Sequence, residues 1–111
     1  MSSQQSTVDF IVEQMSRAGN IRSRKMFGEY AIYCNEKVVA LVCDDQLFVK
    51  PTVIGRKMLK VVEEGSPYPG AKPYFLISEE LWEDREWLAT FIAKTAEELP
   101  LPKPKKIKRT K

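Results

Sequence analysis

The groups in this chain of 111 residues whose types and spacing invite chemistry are two sets of carboxylates and two thiols. Asp44-Asp45 and the group Glu79, Glu80, Glu83 and Asp84 could serve acid–base or metal chemistry if an oriented base, a nucleophile or a further ligand accompanied them. No such companion is evident, and the chain contains no histidine, the usual residue for both roles. Asp44-Asp45 reads as a turn, and the second group reads as the acidic start of a helix. Cys34 and Cys43 are too few for a disulfide framework and are not at metal-ligand spacing. Nothing in the residues calls for an enzyme, a cofactor, a metal or a small-molecule substrate.

The stretch KMFGEYAIYCNEK, residues 25–37, raises nucleic-acid recognition. An RNA-recognition strand needs glycine where Met26 stands and a base-stacking aromatic where Glu29 stands. Gly28 by itself supplies neither a run of backbone donors nor a following helix, so it makes no phosphate loop; a bulge or bend is expected there. The clearest electrostatic feature is elsewhere. Lys103, Lys105, Lys106, Lys108, Arg109 and Lys111 supply six cations among prolines, enough to touch phosphates without reading bases. Before them stand 12 basic and 15 acidic residues, so residues 1–99 carry a formal −3 although the chain totals +3.

Positioning these groups falls to one domain, residues 1–99, followed by a Lys/Pro-rich tail, residues 100–111. Val8, Ile11, Val12, Met15 and Ala18 recur at helical spacing, with Thr7 as N-cap and Gly19-Asn20 as stop. From Arg24 to Lys50, short β-rich runs around Asn35-Glu36 and Asp44-Asp45 predict a three-stranded antiparallel meander. A helical stripe through Ile54, Met58, Val61 and Val62 follows, weakened by Gly55 and stopped at Gly65. GSPYPGAKP must be loop or irregular edge strand, and YFLIS a strand. Ser78 is placed to cap one last helix whose apolar arc runs from Leu81 to Leu99. The order α-β-β-β-α-(β)-β-α makes a two-layer α+β fold of antiparallel sheet and helices. No apolar run approaches a membrane span and the N-terminus lacks a secretory signal, so the cytoplasm is expected.

Two-residue turns set the expected register. They pair Cys34 with Lys37, Ile32 with Val39, Tyr30 with Leu41, Leu41 with Phe48, and Val42 with Leu47. Tyr30, Ile32, Cys34, Val39, Leu41, Cys43 and Phe48 then share a face, with the two thiols too far apart to bridge. Ala31, Tyr33, Val38, Ala40, Val42, Leu47 and Val49 share the other. With both faces apolar and helices on one, Tyr30, Ile32, Leu41 and Phe48 become the candidate surface for a protein partner or homodimer. DNA held by the tail is the alternative.

The run KMFGEYAIYCNEKVVALVCDDQLFVK, with KPYFLISEELWEDREWLATF downstream, resembles the N-terminal domain of the TfoX/Sxy family of bacterial competence regulators. The resemblance covers roughly residues 10–99. It implies a fold similar in element order to type III secretion chaperones, no known enzymatic activity, and a link to transcriptional control of DNA uptake alongside the cyclic-AMP receptor protein. The second domain of full-length regulators has no counterpart here, Glu29 replaces a common glycine, and Asn35-Glu36 replaces the more usual Asp-Gly turn.

Overall fold

The computed structural model describes residues 4–26 and 29–100. The tail cations Lys103 to Lys111, and Gly28 with its expected bulge, lie outside the described residues. The element order is α1 (Gln5–Gln14), a 3-10 turn (Ser16–Ala18), β1 (Ile21–Met26), β2 (Glu29–Cys34), β3 (Lys37–Cys43), β4 (Gln46–Val49), α2 (Val53–Met58), β5 (Glu64–Gly65), β6 (Tyr74–Ile77), α3 (Glu79–Glu83) and α4 (Arg85–Glu98). One antiparallel sheet takes the order β1-β2-β3-β4-β6-β5, and the helices pack on one of its faces around Ile11, Phe75, Phe91 and Ile92. This is the expected α+β arrangement.

Several local expectations change. Helix α1 begins before Thr7, and its leading backbone N–H, from Gln4, donates to Asp45 Oδ1 at 2.8 Å. A strand precedes the expected meander: β1 has no apolar alternation because most of it faces water at the sheet edge, where charge discourages unwanted pairing. The second helix stops at Met58, short of Val61. The last helix is two. Asp84 leaves helical geometry and its Oδ1 accepts the Trp87 N–H at 3.2 Å, capping α4, while Ser78 makes no side-chain cap.

Both hairpins turn on residues of positive φ, Asn35 (52°) and Glu36 (72°), then Asp44 (53°) and Asp45 (58°), as type I′ connections require. The register between β2 and β3 is what differs most. Cys34 pairs with Lys37 as expected, but the ladder shifts beyond Tyr33, and Ile32 pairs with Ala40 and Tyr30 with Val42. Val39 is the additional residue, a β-bulge, and it turns inward with Ala40 so that both are fully buried. Between β3 and β4, Leu41 opposes Phe48 and Val42 opposes Leu47, as expected.

Gly55 has a role that its poor helix propensity conceals. A Cβ there would stand 2.7 Å from Thr52 Oγ1 and 3.2 Å from both the Phe75 and Phe91 rings. Thr52 Oγ1 already accepts the Gly55 N–H at 2.9 Å, capping α2, so the close approach and the cap are one arrangement. Gly55→Ala gains about 1 kcal/mol of helix propensity but forces overlap and displaces the cap. Its expected net effect is a loss of roughly 1–3 kcal/mol, measured by denaturant unfolding, where helix propensity alone would give a gain.

Candidate functional site

The bulge divides the expected partner face between the two sides of the sheet. Tyr30 and Ile32 point to the helices, with Ile32 at 0% exposure and the Tyr30 hydroxyl donating to Gln5 Oε1 at 3.0 Å. Leu41 and Phe48 lie on the other side, because in the shifted ladder they share parity with Ala31 rather than with Tyr30. Phe48 is only 5% exposed, packed beneath Gly65 of β5, whereas Leu41 is half-buried. The expectation of a four-residue exposed patch is therefore corrected: Leu41 alone of the four remains substantially accessible. Cys34 and Cys43 are divided in the same way, and both are free and buried.

What stands around Leu41 is an apolar groove of about 440 Å³, lined by Met26, Glu29, Tyr30, Leu41, Cys43 and Tyr68. Four elements form it, β2 contributing Glu29 and Tyr30. Met26 ends β1 and is 40% exposed; β3 supplies Leu41 and Cys43; the loop between β5 and β6 supplies Tyr68, 55% exposed. That loop is folded by its own sequence. Tyr68-Pro69-Gly70-Ala71 closes through the Ala71 N–H to the Tyr68 carbonyl at 3.1 Å, with proline second and Gly70 third at φ 87°, the combination of a type II turn. The Ser66 hydroxyl adds a bond to the Ala71 carbonyl at 3.0 Å. Sequence reading made GSPYPGAKP a loop or irregular edge strand, without finding that a turn within it stands Tyr68 over the sheet.

Chemically the groove is quiet. Burial, then the neighbouring charges of Glu29 and Asp44, push the Cys43 thiol up to about 11, so it stays protonated at neutral pH and is a poor nucleophile. Burial also raises Cys34, whose thiol lies 3.8 Å from the Ala18 carbonyl. Glu29 Oε2 accepts the Asp44 backbone N–H at 3.2 Å, which ties its carboxylate to the β3–β4 turn. Among the described residues, no three His, Cys, Asp or Glu side chains gather where a metal ion could be held, and no helix is long and apolar enough to cross a membrane. Glu79 and Glu80 lie in the first turn of α3 and Asp84 caps α4, whereas Glu83 ends α3; none of the four lines the groove.

The arrangement matches a known family. The family model for the TfoX N-terminal domain fits residues 13–99. The chain belongs to the TfoX N-terminal domain family. It is also 40% identical over 108 residues to a 12.7 kDa protein of the trpE 5′ region of Spirochaeta aurantia, covering 97% of this chain and 93% of that one. The family match spans every described strand and all helices except the first turns of α1, so the groove and the sheet edge beside it belong to the TfoX N-terminal domain itself.

At the opposite end of the sheet the fold is held by two polar clasps. Lys37 Nζ donates to the Ala96 carbonyl at 2.7 Å, at the negative end of α4, and Glu98 accepts the Val53 and Ile54 N–H groups at 2.8 and 3.1 Å, at the positive end of α2. These two backbone hydrogen bonds hold the Glu98 carboxyl below its usual range. A depressed folded-state pKa contributes stability above the unfolded-state value, and that contribution disappears as pH falls through the folded one. Glu98→Gln should therefore melt below the parent at pH 7, and the gap should close as the pH drops below about 4.5, where unfolded glutamate protonates, in melts followed by circular dichroism.

Proposed function

We propose that this TfoX N-terminal module is a non-enzymatic accessory regulator, connected with competence and transcription, that acts in the cytoplasm through protein–protein contact on the open face of its sheet. One observation carries the reading: a 440 Å³ groove walled by accessible Met26, Leu41 and Tyr68 and holding no activated nucleophile. Apolar surface left on a folded domain loses the stabilisation that burial would bring, about 25 cal/mol per Å², and a partner that covers it recovers this. The test is photo-crosslinking in the native host from a probe at position 68, with the intact chain and with Leu41→Asp. Discrete partners captured by the first and lost by the second support the reading; identical products from both would end it. A dimer of the chain itself would show as a doubled mass in sedimentation.

The second reading is non-specific DNA binding through the tail, favoured by the six cations between Lys103 and Lys111. Neutralising up to six phosphates gives a log–log salt slope near −5 at most. Deleting residues 100–111 should then abolish salt-sensitive DNA binding, and an intact chain that binds no DNA at low salt removes this reading.

A further inference from the structure

The sheet has two edges, and they differ. β5 is a two-residue edge, whereas β1 runs for six residues, of which positions 22–26 are exposed along their length. Among the described residues β1 pairs only with β2, so its outer side presents alternate backbone N–H and C=O groups. Its side chains alternate as well: Arg22, Arg24 and Met26 lie on the open face, and Ser23 and Lys25 on the helix side. Arg22 is occupied, stacked over Tyr33 at 4.3 Å and paired with Glu36 at 3.1 Å. Arg24 and Lys25 make no ion pair among the described residues. Met26, at the end of this strand, is also a wall of the groove.

From this juxtaposition we infer that β1 is a strand-addition site for an extended acidic peptide segment, with carboxylates against Arg24 and Lys25 and an apolar side chain beside Met26 entering the groove. The inference rests on the protein-contact reading and names the partner's chemistry. A ladder of backbone donors and acceptors gives affinity to any extended chain, and the side chains flanking it select among them. Charge does the selecting here: acidic residues opposite Arg24 and Lys25 are favourable cross-strand pairs, and like charges opposite are not. A second copy of the chain paired through β1 would set these cations against their own counterparts, so self-pairing is disfavoured. A nucleic-acid backbone could meet the cations but offers no matching ladder.

An antiparallel partner that places an apolar residue opposite Met26 puts its next two residues opposite Lys25 and Arg24, and the sequence TLEEVET has this order. The test is binding of labelled TLEEVET to the intact chain by fluorescence anisotropy, with amide shifts followed along β1. TLEEVET should bind while the charge-reversed TLKKVKT does not, and Arg24→Glu combined with Lys25→Glu should exchange those preferences. Both substituted positions are exposed, so the variant should keep its fold. N-methylation of TLEEVET at alternate residues should weaken binding by about tenfold or more in one alternation and little in the other, because only one set of amides faces β1. The inference fails if TLEEVET does not bind at millimolar concentration, if both alternations behave alike, or if an oligo-dT of similar length binds more tightly. It also fails if position-68 crosslinks are lost with Leu41→Asp but persist with Arg24→Glu and Lys25→Glu, an outcome that leaves the groove reading standing.

Discussion

Ile32→Asp should leave no cooperatively folded protein at room temperature, while Leu41→Asp should stay folded and melt about 5–10 °C below the parent. The bulge at Val39 decides this. In an uninterrupted ladder both residues would share a face, and the two substitutions would behave alike. In the observed ladder Ile32 is wholly buried under the helices and Leu41 is half-buried on the open face. An aspartate at position 32 must enter the core without a partner or force the strand out of register. Burying it, together with the lost isoleucine packing, costs at least about 5 kcal/mol, comparable with the roughly 5–15 kcal/mol that holds a domain of this kind together. At position 41 the carboxylate stays in contact with water and the cost is about 1–2 kcal/mol. Melts by circular dichroism check this; equal stability of the two variants would contradict the bulged register.

Phe91→Ala should be the most damaging of the simple truncations that leave the chain folded. The ring is fully buried, stacks on Trp87 with centroids 4.6 Å apart and planes 14° from parallel, and borders the space that Gly55 leaves open. Losing a buried phenylalanine costs about 3–5 kcal/mol, and the lost stacking contributes roughly 0.5–1.5 kcal/mol within that range. For a domain of this size the melting point should drop by about 10–25 °C. Tyr68→Ala is the matching control. It removes a large aromatic that is 55% exposed, so the melting point should hardly move while binding of TLEEVET, whose leucine is to enter the groove, weakens.

Much of the fold was legible because hydrophobic spacing and turn chemistry agreed. The pairs Cys34–Lys37 and Leu41–Phe48 follow directly from two-residue turns, and the structure contains both. The bulge was not legible, since Val38, Val39 and Ala40 are three apolar residues in a row and either of two registers buries some of them. That single ambiguity placed Tyr30 and Ile32 on the face of Leu41 and Phe48, and the cover that β5 lays over Phe48 is a separate long-range fact. β1 escaped notice for a different reason: IRSRKM carries no alternation, and an exposed edge strand needs none. The wall contributed by Tyr68 depends on where the β5–β6 loop folds over the sheet, a long-range fact that no local spacing records.

Hydrogen bonds at the two ends of β3 pin the helix layer to the sheet. Gln4 is tied to Asp45 at the groove end, whereas Ala96 is tied to Lys37 at the other, a separation of about 20 Å along seven residues of strand. The helix layer is therefore fixed to one strand at both of its ends, and rocking of the helices over the sheet would have to break one of these two bonds before it could begin.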